Sequence, residues 1–218
     1  MDKRLEAAAS LFPAVTVGAD IGANHGLLAC RLLQSQRVQR MWVTDLSADA
    51  LSQARKNIAD AGLADRVTFA VGDGFSALDE PVGAAAILGM GGQTIADIIT
   101  SAEPGRLPPA LVVSGHTDQE TVRYVLCKTG YEITGELLVR SAGRFYILTQ
   151  ARLAAAPVLL DDRALFLGPC LTKQTSPDYR AYLRHKLSAY APSRSEEGHM
   201  RYQWLKEEAA RADSPDSP

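Results

Sequence analysis

Short apolar runs alternate with amphipathic helical spacings over the first two thirds of the chain, the signature of βαβ units in a mostly parallel sheet. Strands are expected at Val15–Ile21, Arg40–Thr44, Val67–Val71, Ala84–Leu88 and Ala110–Val113. Behind the second run, Ala50, Leu51, Ala54, Ile58 and Ala61 recur at three- and four-residue intervals, giving one apolar stripe on a helix that Ser47 can cap. After the fifth run, Thr117 and Glu120 have the spacing of a capping box. Val122, Val125 and Leu126 supply a buried face there, and Gly130 is placed to end the helix. The rhythm then breaks. Tyr131–Val139 and Arg144–Arg152 are joined only by Ser141-Ala142-Gly143, too short a link for a helical crossover, so they read as an antiparallel hairpin. The expected fold is therefore α/β, a doubly wound, mostly parallel sheet of seven strands, followed by a short C-terminal helical hairpin over Pro177–Tyr190 and Glu196–Arg211.

Composition sets the outer limits. With 218 residues, 46% of them hydrophobic and 22% charged, the chain can bury a sizeable core. A net charge of −2 excludes a uniformly basic coat protein and an acidic disordered one alike. Cys30, Cys127 and Cys170 are too sparse for a disulfide framework or a Cys-rich zinc site, so a reducing cytoplasm is the expected compartment. Charges fill the N-terminus where a signal peptide needs apolar residues, and no apolar run reaches the roughly 20 residues of a membrane span. His25, His116, His185 and His199 show no paired ligand spacing, so no metal is expected. Three segments follow: a main domain over residues 1–157, a helical extension over 158–212, and a disordered tail over 213–218.

The turn after the first strand, Asp20-Ile21-Gly22-Ala23-Asn24-His25-Gly26, stands where open α/β sheets bind ligands. It lacks the G-x-G that a dinucleotide pyrophosphate requires, which disfavours NAD. It does resemble the Asp/Glu-x-Gly-x-Gly-x-Gly loop of S-adenosylmethionine (SAM) enzymes, with Asn24 at the middle glycine, and Asn tolerates positive φ. Asp45 closes the second strand, where a carboxylate can accept from both ribose hydroxyls, and Asp73 closes the third, within reach of an adenine amino group. A single acid in such a place is as readily a helix cap or a solvated turn; acids at three successive strand ends make a site the better reading. Leu88-Gly89-Met90-Gly91-Gly92 ends the fourth strand, with glycines that let backbone approach a flat ligand or that simply make a tight turn into a helix near Gln93-Thr94.

With these residues in place the chain resembles the bacterial TrmK-type tRNA adenine-N1 methyltransferases, class I, Rossmann-like enzymes that methylate adenine 22 with SAM. The resemblance runs from about Arg4 to Leu187. It rests on Arg4-Leu5, Asp20-Ile21-Gly22 followed by His25, Gly72-Asp73-Gly74, Gly89-Met90-Gly91-Gly92, Gly143 with Tyr146, and Gly168-Pro169 with Leu171. It implies a SAM-binding set of Asp20, Gly22, Asn24, Asp45, Leu46, Asp73, Gly74 and Gly89, and a catalytic set of Asn24, His25, Gly89, Met90 and Gly91 bordering the target base. The chain departs from the family at Asn24, where an Asp is usual, at Ser114-Gly115-His116 in place of Gln-Pro-Asn, at Leu28-Ala29 in place of Leu-Pro, and at Tyr146-Ile147 in place of Tyr-Glu. Adenine N1 carries its own lone pair, so an amide at Asn24 can orient the base without acting as a base itself.

The expected partner is tRNA. Residues 172–206 hold seven Lys or Arg against three Asp or Glu, interleaved with Tyr179, Tyr182, Tyr190, Tyr202 and Trp204. Aromatics among cations suit RNA stacking and phosphate contact, or else packing of a helical hairpin on the main domain. The rival functions are a SAM methyltransferase for another nucleobase or a small molecule, and a SAM- or RNA-binding module without turnover.

Overall fold

The computed structural model describes residues 2–189 and 195–214, and among these lie seven strands and eight α-helices. The strands are β1 (Val15–Ile21), β2 (Val38–Asp45), β3 (Val67–Val71), β4 (Ala84–Met90), β5 (Ala110–Gly115), β6 (Tyr131–Ser141) and β7 (Arg144–Leu153). They form one sheet in the order β3-β2-β1-β4-β5-β7-β6. The first five are parallel, and β7 runs antiparallel to both β5 and β6. The expected sheet is thus the observed one, with several strands extended by one to three residues. The β6–β7 turn tightens to Ala142 and Gly143, both at positive φ, as a two-residue hairpin demands.

The central strands are buried on both faces, and alternate residues join opposite cores. Ala84 and Ala86 of β4 join one core with Met41, Val43 and Val112, covered by α1 (Lys3–Leu11), α2 (Leu27–Gln34) and α3 (Ala48–Asp60). Ala85 and Ile87 join the opposite core with Ile21, Leu111 and Val113, under α4 (Gly92–Thr100) and α5 (Gln119–Lys128). The Ser47 cap forms as expected, its Oγ accepting from Ala50 N at 3.3 Å. The capping box at Thr117 does not. Asp118 takes the cap position at φ 53, Thr117 Oγ1 donates to Asp118 Oδ2 at 2.7 Å, and Glu120 turns to Arg201 instead. A left-handed cap residue points the preceding side chain away from the first-turn amides, so the sequence spacing alone misleads there.

The extension consists of α6 (Asp162–Leu167), α7 (Pro177–Ala189) and α8 (Glu196–Asp213). It packs on the outer hairpin through a third core that includes Leu138, Ile147, Phe166, Tyr179, Leu183 and Leu205. Asp213, expected in a disordered tail, closes α8, and its carboxylate lies within 3.8 Å of Arg180 and 3.7 Å of Arg184. Tyr190, the Ala191-Pro192-Ser193 link, Arg194 and residues 215–218 lie outside the described residues. No described helix is long and apolar enough to cross a membrane.

Beneath the extension sits a buried ion pair. Arg123 of α5 donates through Nε to Glu136 Oε1 of β6 at 2.8 Å, with almost no exposure of either side chain. The second Glu136 oxygen accepts from the amides of Cys170 and Leu171 at 3.0 and 3.1 Å. Arg123 Nη1 donates to Leu165 O at 2.7 Å. The Gly168-Pro169 turn closes over this pair. A Cβ on Gly168 would stand 2.7 Å from both Arg123 Nη2 and Glu136 Oε2, and its φ of 98° suits glycine alone.

Candidate active site

Strand order reverses between β1 and β4, and both strands end in glycine-rich turns. Loops leaving such a reversal diverge to opposite faces and open a crevice at the carboxyl ends. After β1 the chain passes through Gly22, Asn24 and Gly26 at φ of 68°, 49° and 65°. Asn24 therefore adopts the left-handed conformation that its place in the motif requires. Ala23 N donates to Thr44 O at 2.9 Å and Asn24 N to Asp45 Oδ2 at 3.1 Å, which ties the turn to the end of β2. The other Asp45 oxygen accepts from Ser47 N at 3.0 Å. Two backbone amides thus fix the carboxylate and leave it further lone pairs for a ligand. From α3, Asn57 Nδ2 donates to His25 O at 2.9 Å and secures the far side of the turn.

Two cavities meet at this turn. One, of about 400 Å³, is lined by Gly22, Asp45, Leu46, Asp73, Gly74 and Met90, with Thr94 and Asp97 from α4. Leu46 is 72% exposed, an apolar side chain left standing beside two carboxylates, as the edge of a flat ring would want it. The other, of about 380 Å³, is lined by Asp20, Gly22, Asn24, His25, Gly89 and Met90, with Arg4 and His116. Gly22 and Met90 belong to both. A Cβ on Gly22 would lie 1.9 Å from Met90 Cε, so the methionine methyl rests directly on the glycine backbone where the cavities join.

The structure gathers most of the residues singled out in the sequence. Asp45, Leu46, Asp73 and Gly74 share the first cavity, and Asp20, Asn24, His25 and Gly89 share the second. Gly91 lines neither. It precedes α4, where an added Cβ would be 3.8 Å from Thr117 Oγ1. At Gly92 a Cβ would stand 2.6 Å from the carbonyl oxygens of Thr117 and Asp118. The glycine turn after β4 therefore serves two purposes: Gly89 faces a cavity, while Gly92 lets α4 close on the β5–α5 loop. Ser114 is committed to the sheet, its Oγ donating to Ile147 O at 2.8 Å.

Asp20 is 4% exposed at the end of β1. Burial pushes its carboxyl up to about 7, the Ala29 backbone hydrogen bond opposes this, and the charge of Asp45 adds to it. Near neutrality both protonation states are populated. No group of three or more His, Cys, Asp or Glu among the described residues is arranged to hold a metal ion.

Arg4 and His116 line the second cavity, and Tyr146 stands behind them. Arg4, held by Asp2 at 2.7 Å, places its guanidinium carbon 4.6 Å above the Tyr146 ring, and Tyr146 meets His116 edge-on at 6.0 Å. Arg4 and Tyr146 come from opposite ends of the main domain and meet only because α1 packs beside the hairpin. The family resemblance marks both residues, but no local spacing shows that they touch.

The sheet order and the strand-end cavities define a class I, Rossmann-like methyltransferase fold. Comparison with known proteins agrees: the family described as methyltransferase domain matches residues 1–149. The chain belongs to that family. It is 24% identical over 222 residues to the tRNA (adenine(22)-N(1))-methyltransferase of Bacillus subtilis, covering 97% of this chain and 93% of that protein. Among solved structures, a candidate tRNA (m1A22) methyltransferase of Streptococcus pneumoniae in complex with SAM superposes with a TM-score of 0.86 at 23% identity, covering 96% and 99% of the two chains. TrmK of M. capricolum bound to S-adenosyl-homocysteine gives 0.83 at 21% identity, covering 96% and 98%.

Proposed function

We propose that the protein is a SAM-dependent methyltransferase acting on N1 of an adenine in tRNA, at position 22 as in the relatives of that name, in the cytoplasm of a bacterium. Residues 1–157 act as the SAM-binding domain and 158–212 as a helical extension. The observation that carries this reading is the pair of cavities joined at Gly22 and Met90, one suited to an adenosine and the other open to an acceptor base.

The donor fits the residues present. Asp45 presents an amide-oriented carboxylate to the ribose hydroxyls, Asp73 stands at the end of β3 for the adenine amino group, and Leu46 and Gly74 flank the ring. Asp20, Asn24 and Gly89 border the methionine end. SAM supplies an electrophilic methyl group on a sulfonium, and the chain's own work is alignment and field. Asn24 presents an exposed amide at the acceptor cavity and orients the base edge without adding charge. His25 and Met90 border the same opening. Because N1 is used in Watson–Crick pairing, the target base must be unpaired or flipped to enter.

Transfer of labelled methyl from SAM to unmodified tRNA tests the assignment. Asp45→Ala raises KM for SAM by about tenfold or more, the scale of one charge-assisted hydrogen bond. Asn24→Ala lowers kcat with a smaller effect on the SAM KM. Equal activity in both variants and the parent would overturn the assignment of these residues.

A further inference from the structure

The largest of the three cavities described, about 800 Å³, adjoins the acceptor cavity without belonging to it. It opens between the β5–α5 loop, the β6–β7 hairpin and α7, with Arg201 of α8 at its side. His116 lines both cavities.

Its charges are unevenly matched. Four cations face it, Arg140, Arg144, Lys186 and Arg201, against two carboxylates, Asp118 and Glu120. Both carboxylates are engaged, Asp118 by Thr117 Oγ1 at 2.7 Å and Glu120 by Arg201 at 3.0 Å. Arg201 also takes Glu197 at 2.8 Å. Among the described residues, no carboxylate lies within salt-bridge distance of Arg140, Arg144 or Lys186. The contrast within α7 is informative: Arg180 and Arg184 lie against Asp213, whereas Lys186, on the cavity side, has none. The Lys186 ammonium lies 5.5 Å from the Phe166 ring centroid, and burial lowers its affinity for a proton; Glu120 offsets this in part, and the charges of Arg123 and Arg201 add to it. A half-buried ammonium of this kind gains when an anion enters beside it.

We propose that this cleft is a phosphate site for the RNA substrate, in which Lys186, Arg140 and Arg144 hold the backbone next to the nucleotide whose base enters past His116. The inference rests on the reading of the protein as an RNA methyltransferase. A flipped base carries its sugar-phosphate behind it, and the cleft is the charged volume that continues outward from the acceptor cavity at their shared histidine. The helical extension thereby contributes a cation to substrate binding while most of its aromatics pack on the hairpin.

The test compares the parent with Lys186→Gln, Arg144→Gln and the double variant, and with Arg184→Gln as a control on the far side of α7. Methylation of unmodified tRNA is followed over a range of salt, with SAM binding measured in parallel. The expected result is a KM for tRNA raised several-fold by each cleft substitution and more by both, and a log–log salt slope reduced by about 0.7–0.9 for each cation that no longer meets a phosphate. The kcat, the SAM affinity and the Arg184→Gln variant stay within about twofold of the parent. Arg144 is exposed on the hairpin, so its substitution reports on the cleft free of any packing role of Lys186. Unchanged KM and salt slope in an active double variant would overturn the cleft alone. A parent that methylates no RNA would overturn the functional reading with it.

Discussion

Burial penalises a carboxylate and raises its proton affinity, and Asp20, enclosed at the end of β1, is pushed up to about 7 in this way. Below pH 3.8 the group is protonated in folded and unfolded chains alike, so its burial carries little electrostatic cost. As pH rises from there to about 7, the unfolded chain loses its proton and the folded one retains it, so stability falls across that window. Asp20→Asn removes the titration. The variant therefore gains Tm over the parent on going from pH 5 to pH 8, while its SAM affinity drops. Thermal melts at several pH values check the first part, and a Tm difference independent of pH would contradict it. Asp20 is legible as a site residue from the motif, but its raised proton affinity comes from burial in the assembled fold and has no signature in the sequence. Asn24 is fully legible, because the conformational demand of the turn and the tolerance of Asn are both local properties.

Among the elements, the central strands are readable because both faces are buried and their apolar runs are unbroken, as in Ala84–Leu88. The helix α1 is not: its buried residues are Ala7, Ala8 and Ala9, small side chains whose periodicity is faint until they meet the sheet. The Thr117–Glu120 box fails because Asp118, packed closely against Gly92, takes the cap position in the left-handed conformation, which the spacing alone does not show. The Gly168-Pro169 pair stands out by family likeness, yet its role is visible only in the fold, where it closes over Arg123 and Glu136. Removing the guanidinium strands a buried carboxylate, so Arg123→Ala is expected to cost about 3–5 kcal/mol. Gly168→Ala should destabilise as well, since its Cβ enters the same pair. Denaturant unfolding measures both. A loss below about 1 kcal/mol for Arg123→Ala would show that the pair does not fasten the extension to the hairpin.

At the scale of the whole molecule, the basic, aromatic-rich extension has two readings from sequence, and the fold divides its residues between them. Tyr179 is buried and donates to Glu208 Oε1 at 2.8 Å, and Tyr182 and Trp204 pack around the third core. Lys186 faces the charged cleft, while Arg180 and Arg184 are turned to Asp213. Composition registers the surplus of cations but not which of them face a carboxylate, because that depends on how α7 and α8 lie against α5 and the hairpin. The same assembly brings the donor cavity, the acceptor cavity and the cleft into one sequence of adjoining spaces across the carboxyl edge of the sheet. On the proposed reading, this edge aligns a SAM methyl group with N1 of a tRNA adenine. Nucleoside mass spectrometry of unmodified tRNA incubated with the protein and SAM tests it most directly: the expected product is 1-methyladenosine, dependent on both components and, at SAM below the parent's KM, formed about tenfold more slowly when Asp45 is replaced by Ala. Tight SAM binding with no methylated nucleoside, or a methyl group on any other nucleoside, would contradict it.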